Sequence, residues 1–369
     1  MTSAPWLPPP DAELPSPGAP SLEARPRVFG SLESAVRRAG PEGAEQRLAE
    51  LRSFLEADLA GIERDLTILE LGDTTTHASA GHLLACGGKR LRPMCVALAA
   101  RVGSGFGPRA RDLAVASELV HAATLLHDDV VDLGERRRGA PAARMIYGNA
   151  ASIFAGDWLL VEALVRVRRT GLHDVLDRAL GVLTEMLDAE ALQLDRRGKL
   201  DGTVADYMRV VSGKTASLFR WSLYAGARAG GLDDRSCGLL EAFGDKLGVA
   251  FQVTDDLLDV DGDPERIGKE LFADLREGKA TYPLLVLFER DAALRAEVAA
   301  GLEAGAIGPA LAARVCRGLR DTGAIEETRK LASSLVSDAT AALGGIDGQG
   351  RPALGALAAV AGAIAARRK

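Results

Sequence analysis

The sequence predicts an all-α protein, a single large bundle of ten or more helices surrounding a cavity. Three observations carry that expectation. Ala and Leu dominate the composition and aromatic residues make up only 4%, which favours helix over strand. From Glu45 onward apolar residues recur at helical spacing, first in Leu48, Leu51, Phe54, Leu55, Leu59 and Ile62. No alternating β-branched run and no fixed-period repeat interrupts that pattern. With 369 residues and 47% hydrophobic content, the chain can bury one large helical core.

Residues 1–43 hold nine of the sixteen prolines and little periodicity, so a disordered or weakly ordered extension is expected before a domain over 44–369. Helix-length segments follow, separated by turns such as Gly103-Ser104-Gly105-Phe106-Gly107-Pro108, Gly230-Gly231-Leu232-Asp233-Asp234 and Gly344-Gly345-Ile346-Asp347-Gly348. The longest uncharged apolar run, Ala353 to Ala366, covers 14 residues, short of the roughly 20 a membrane span needs. A packed terminal helix is expected there. The basic tail behind it, Arg367-Arg368-Lys369, suits peripheral contact with anionic lipid.

A net charge of −6 gives no reason to expect nucleic-acid binding. The four cysteines, Cys86, Cys95, Cys237 and Cys316, form no CxxC or Cys/His group, which argues against zinc and fits a reducing, cytoplasmic compartment. The first residues lack a basic region followed by an apolar one, so no export signal is expected.

Two aspartate pentads carry the chemistry. Asp128-Asp129-Val130-Val131-Asp132 and Asp255-Asp256-Leu257-Leu258-Asp259 stand 127 residues apart, each at the end of an apolar stretch. Helix positions i and i+4 share a face, so Asp128 projects with Asp132 and Asp255 with Asp259. One such pentad alone is an ordinary solvated helix end. Two copies, both led by apolar residues and both followed by basic ones, point to a shared ligand. Carboxylate oxygens without nearby thiols suit Mg²⁺, which binds through one or two carboxylates together with substrate phosphates. Two facing clusters would hold a diphosphate through magnesium.

Basic groups supply the other sign. Gly87-Gly88-Lys89-Arg90-Leu91-Arg92-Pro93 is a glycine turn with three cations ahead of a helix, a setting that suits phosphate; it is not a Walker loop. Arg136-Arg137-Arg138 follows the first pentad, and Lys214-Thr215, Lys269 and Lys279 lie further on. Each lysine alone reads as a surface residue; together with Arg137 and Arg138 they would neutralise two diphosphates. His121 lies two turns before Asp128 on roughly the same face and would point into the cavity. Asp188, Glu190 and Gln193 share another helix, where solvated side chains are the default.

In this order the motifs resemble the trans-isoprenyl diphosphate synthase family, nearest to its long-chain, octaprenyl diphosphate synthase members. The likeness runs from about Glu45 to the C-terminus through GGKRLRP (87–93), HAATLLHDDVVD (121–132), RRRG (136–139), GNAASIFAGDW (148–158), KTASLF (214–219) and FQVTDDLLD (251–259). The resemblance implies an all-α isoprenoid-synthase fold around a deep hydrophobic channel, and head-to-tail condensation of isopentenyl diphosphate with an allylic diphosphate. It implies Asp128, Asp132 and Asp255, with Asp259 beside them, as Mg²⁺ ligands for the allylic diphosphate, helped by Arg137, Lys214, Lys269 and Lys279. Lys89, Arg92, His121 and Arg138 match the isopentenyl diphosphate site, and Thr215 and Gln252 match positions that stabilise a carbocation. A homodimer is the implied assembly. Three positions depart from the family pattern: Phe272 stands for a usual Gly, Ala273 for a common Asp, and Ala189 for a frequent Gly.

Four and five residues before Asp128 lie Thr124 and Ala123, roughly 6–7.5 Å down the helix at 1.5 Å per residue. They would line the tunnel for the growing chain. With Ala122, Ala116 and Ser117 also small, a product of about C40 is expected, serving a quinone side chain. The alternatives are a shorter-chain synthase, a class I terpene cyclase and a regulatory subunit of a heteromeric synthase. A cyclase would lack GGKRLRP and carry an aromatic-rich pocket, and a regulatory subunit would show degenerate pentads.

Overall fold

The computed structural model describes residues 44–69, 71–261, 272–305, 307–346 and 350–367. The proline-rich extension and Lys269 lie outside these described residues. Sixteen α-helices account for almost all regular structure among them: α1 (Ala44–Thr67), α2 (Thr75–Ala85), α3 (Leu91–Val102), α4 (Pro108–Val131), α5 (Ala143–Tyr147), α6 (Asn149–Arg169), α7 (His173–Arg196), α8 (Val204–Val211), α9 (Ser217–Ala229), α10 (Asp234–Asp261), α11 (Ala273–Arg276), α12 (Tyr282–Arg290), α13 (Ala292–Glu303), α14 (Pro309–Asp321), α15 (Ala324–Leu343) and α16 (Arg351–Ala365).

Local chemistry sets many of these boundaries. Pro108 and Pro309 open their helices, where a missing N–H costs nothing. Thr203 and Asp206 form a capping box at the start of α8, and the Asp291 side chain accepts from Leu294 N at 2.8 Å to start α13. The all-helical expectation has one small exception. Arg136–Arg137 pairs antiparallel with Ala140–Pro141 in a two-residue hairpin, β1 and β2. Its turn is Arg138-Gly139, with φ of 53° and 85°, the left-handed pair that a tight hairpin requires. So short a ladder has no periodicity for a sequence reading to find.

Helices α4 and α6 pack together, α10 lies against α9 and α15, and α3 against α9. Two apolar lobes result. The larger joins α1, α3, α4, α6, α7, α9, α10 and α16 around Leu55, Met94, Leu98, Leu119, Phe219 and Phe243, all buried. The smaller gathers α12 to α15 around Leu287, Phe288, Val315 and Leu319.

Between α8 and α9 the chain winds one wide, π-helical turn over Ser212–Ala216, a feature frequent at functional sites. Lys214 and Thr215 sit on it. Two glycines let neighbours close on this turn: a Cβ on Gly248 of α10 would lie 2.4 Å from Ala216 Cα, and one on Gly213 would lie 2.7 Å from both Ala189 Cβ and Glu185 O on α7. Ala189 is therefore accommodated because its partner Gly213 has no side chain. No described helix is long and apolar enough to cross a membrane.

Candidate functional site

A cavity of about 1100 Å³ opens where α4, α7, α8 and α10 meet the basic turn before α3. Both pentads reach it. Asp128 and Asp132 end α4, and Asp255 and Asp259 lie on the last turns of α10. The i, i+4 spacing thus delivers two pairs of carboxylates to one space. The second aspartates are both buried, Asp129 behind the lining and Asp256 within the cavity wall. Asp129 is 1% exposed and accepts from Arg137 Nε at 3.0 Å and Nη2 at 2.5 Å. Asp256 is equally buried and accepts from Tyr207 OH at 2.6 Å and Gln252 Nε2 at 2.8 Å.

Cations surround the first pentad. Lys214 Nζ stands 3.5 Å from Asp128, pairs with Glu190 and donates to Gln193 Oε1 at 3.2 Å. Burial raises the Asp128 pKa, and the Lys214 charge partly offsets this. Asp132 receives Lys279 Nζ at 2.8 Å and Arg197 Nη2 at 3.1 Å. Burial alone would lower the Lys279 pKa, yet its bonds to Asp132 and Glu277 hold it above the usual lysine range. The second pentad has different company. Asp255 pairs with Arg367 at 2.6 Å, and the Asp259 carboxylate accepts from the backbone amides of Ala273 (3.1 Å) and Asp274 (3.4 Å), capping α11.

The opposite wall is basic. Lys89, Arg92, His121 and Arg138 all line the cavity. The Arg92 guanidinium lies 4.8 Å from the Phe219 ring centroid, and burial pulls its pKa down to about 10. The His121 pKa falls well below the ordinary imidazole value, first through burial and then through Arg92, Arg138, Arg137 and Arg90. Below the pentads, Thr215 Oγ1 donates to Gln252 Oε1 at 2.9 Å, so Thr215, Gln252, Asp256 and Tyr207 form one hydrogen-bonded row.

Several expectations need correction. Glu190 and Gln193 are not idle solvated groups, because both engage Lys214; Asp188 is exposed as expected. Arg137 lines the cavity, but its guanidinium is committed to Asp129. Ala123 is 2% exposed within the core and does not line the cavity, whereas Thr124 does. Arg367 turns inward to Asp255 rather than outward to solvent; Arg368 and Lys369 lie outside the described residues. At the departing positions, Phe272 adopts the left-handed conformation a glycine would take (φ 63°), buried at 3% with its N–H bonded to Asp259 O at 3.0 Å. Ala273 contributes only its amide. Arg197 and Tyr207 were absent from the sequence reading, and Arg367 entered it only as part of the basic tail, since no motif marks them and only the fold brings them to the aspartates.

The donor set fits a hard divalent cation. Among the described residues no three acidic, histidine or cysteine side chains converge as a ready-made cage. Magnesium does not require one, because it takes one or two carboxylates and fills its remaining positions with phosphate and water.

Comparison with known proteins identifies relatives of the chain. The family described as Polyprenyl synthetase matches residues 73–306. Heptaprenyl diphosphate synthase component 2 of Geobacillus stearothermophilus is 34% identical over 81% of this chain and 93% of its own length. Octaprenyl diphosphate synthase of Escherichia coli is 35% identical over 80% and 92%. The structure of a polyprenyl synthase from Caulobacter crescentus, complexed with calcium and isoprenyl diphosphate, superposes with a TM-score of 0.80 at 36% identity, covering 86% of this chain and 97% of that one. A geranylgeranyl pyrophosphate synthetase from Pyrococcus horikoshii superposes at 0.79 with 29% identity, covering 87% and 99%.

Proposed function

The chain belongs to the polyprenyl synthetase family and is a prenyl diphosphate synthase, a prenyltransferase, and from that premise we propose that it extends an allylic diphosphate with isopentenyl diphosphate, head to tail, to a long all-trans product of about C40. The observation that carries the reading is one cavity with two pairs of carboxylates facing a wall of cations.

Asp128 and Asp132 on one side, with Asp255 and Asp259 on the other, are the residues that would hold Mg²⁺; the calcium and isoprenyl diphosphate in the Caulobacter crescentus relative support a divalent ion here. Magnesium, when bound, supplies positive charge to a departing diphosphate. Lys214 and Lys279 put two further cations beside the same carboxylates, and they stabilise charge as it develops on that leaving group. Lys89, Arg92, His121 and Arg138 take the isopentenyl diphosphate. An imidazole kept neutral offers both a donor and an acceptor nitrogen there. The hydrogen bond to Gln252 fixes the Thr215 hydroxyl, leaving its oxygen lone pairs to face an allylic cation. Apolar side chains below, Leu125 and Met186 among them, keep out the water that would quench it.

Product length is supported by Thr124, a small lining residue one turn below Asp128, and by an apolar gap one further turn down. Val120, Leu164, Val182, Leu218 and Trp221 border that gap. The gap measures only about 10 Å³, which favours a second reading, a shorter C15 to C20 product stopped at Leu125 and Met186. The proposal includes a homodimer. Leu180, Leu187 and Leu194 form an exposed stripe at seven-residue spacing on α7, and Ile153, Phe154 and Val161 are exposed on α6. Such apolar faces suit a second copy.

The test is product analysis with Mg²⁺, farnesyl diphosphate and excess labelled isopentenyl diphosphate. A dominant C35 to C50 product supports the reading. A C15 or C20 product keeps the chemistry and overturns the length. No incorporation overturns the condensation itself.

A further inference from the structure

Glu118 lies on α4 one turn before His121, lines the cavity and is 3% exposed. A buried carboxylate is costly unless cations compensate it. Here the compensation comes from the basic wall. Glu118 accepts from Arg90 Nη1 at 2.5 Å, and it is the carboxylate with the strongest electrostatic pull on Arg90, Arg92 and Arg138 alike.

Arg90 is the second cation of the basic turn, yet it is not placed to receive a substrate. Its Nε and Nη2 donate to Glu63 at 2.7 and 3.1 Å, its Nη1 is taken by Glu118, and it is 3% exposed. Its backbone is also left-handed, with φ of 49°, as is that of Arg138 with φ of 53°. Non-glycine residues keep such a conformation where surrounding contacts over-determine it, and these cases cluster at functional sites. Gly88 shows how the two arginines meet. A Cβ there would lie 2.9 Å from Arg90 Nη1 and 3.0 Å from both Arg138 terminal nitrogens. Two guanidinium groups therefore crowd against one bare stretch of backbone, and their mutual repulsion has to be offset from beneath.

We infer that Glu118 is a positioning residue, the buried carboxylate on which Arg90, Arg92 and Arg138 are assembled, so that the cationic wall stands ready before its diphosphate arrives. The inference rests on the proposed isopentenyl diphosphate site and adds a residue that does not itself touch substrate. A preformed wall spares the substrate the cost of gathering dispersed charges.

Calorimetric titration of the full chain with isopentenyl diphosphate, and separately with farnesyl diphosphate and Mg²⁺, tests it. Glu118→Gln is expected to weaken isopentenyl diphosphate about tenfold and farnesyl diphosphate by less than about twofold, as loss of a charged buried hydrogen bond implies. The KM for isopentenyl diphosphate should rise with the dissociation constant, while kcat at saturation stays within about threefold. A folded variant with unchanged isopentenyl diphosphate affinity overturns the inference, and so does equal weakening of both ligands. If Glu118→Gln shows no cooperative melt, Arg90→Lys, which keeps the charge and loses the fork, decides by the same criterion. A wild-type protein that binds both diphosphates but forms no product would sink the proposed condensation and leave the positioning role measurable.

Discussion

The two pentads are near copies in sequence, and the fold treats them differently. In both, the first and fifth aspartates face the cavity and the second is buried, Asp129 behind the lining and Asp256 within it. Around the first pentad every carboxylate meets a full cation: Lys214 at Asp128, Arg137 at Asp129, Lys279 and Arg197 at Asp132. Around the second, Asp255 pairs with Arg367, Asp256 accepts from a phenol and an amide, and Asp259 accepts from two backbone amides at the start of α11. The same five-residue pattern therefore buries its second aspartate against a guanidinium in one place and against a phenol and an amide in the other. Spacing decides which side chains share a face; the helices packed opposite decide what each carboxylate can do.

The fifth positions give the largest contrast. Asp132→Ala removes the anchor for two cations and should lower kcat about a thousandfold, as loss of charge stabilisation at a reacting centre does. Asp259→Ala, whose oxygens also serve two backbone amides, should cost about tenfold on the same scale and loosen α11. Equal losses in steady-state assays would erase the asymmetry. The second positions come next and differ in stability. Asp129→Asn breaks a pair whose carboxylate is fully buried and whose arginine is partly wet, so about 2–3 kcal/mol is expected from denaturant melts. Asp256→Asn keeps the same two neutral partners but turns an amide N–H toward one of them, the Tyr207 hydroxyl or the Gln252 amide, which has to reorient to accept, so a smaller loss of about 1 kcal/mol is expected.

Asp256 adds a pH signature. Burial, then the charge of Asp274, raises its pKa well above the carboxylate value of 3.8, against the opposing bonds from Tyr207 and Gln252. As pH rises past that value the unfolded chain releases this proton while the folded chain keeps it. The folded state then binds more protons, so stability falls with rising pH until the folded pKa is reached. Thermal melts from pH 4 upward should show a smaller decline in Asp256→Asn than in the wild type. Parallel curves would mean that Asp256 titrates normally.

Much of this site was legible because it is local in sequence. Helical spacing put Asp128 with Asp132, the glycine turn put Lys89 and Arg92 on one loop, and His121 followed from two turns of helix. What stayed hidden depends on contacts far apart along the chain. Tyr207 meets Asp256 across 49 residues and Arg197 meets Asp132 across 65. The π-helical turn under Lys214 has no composition cue, since Ser212-Gly213-Lys214-Thr215-Ala216 reads as ordinary helix. Ala123 failed as a lining residue because the four- and five-residue offsets from Asp128 fall on different faces, and packing between α4 and α6 takes Ala123 into the core.

The smallest expected effect concerns the cation that only the second pentad borrows from the chain end. Arg367 is 112 residues from Asp255 in sequence, and its guanidinium lies 2.6 Å from Asp255 Oδ1 and 5.4 Å from the Phe251 ring centroid. The pair is partly exposed, at 14% and 36% for the two side chains, so water screens it and its net contribution stays within about 1 kcal/mol. An oxygen that accepts from a guanidinium has to exchange that partner before it can ligate a divalent ion. Arg367→Ala should therefore leave folding unchanged and lower the Mg²⁺ concentration for half-maximal farnesyl diphosphate binding by about twofold, the mass-action equivalent of a few tenths of a kcal/mol. The first pentad offers the control: Lys279→Ala removes a cation that also serves the diphosphate, and it should weaken that binding instead. Opposite signs in the two titrations would show that one pentad keeps its cations for substrate while the other gives its cation up to metal. Weakening in both would put Arg367 with the substrate-holding cations, making the two pentads more alike than their surroundings suggest.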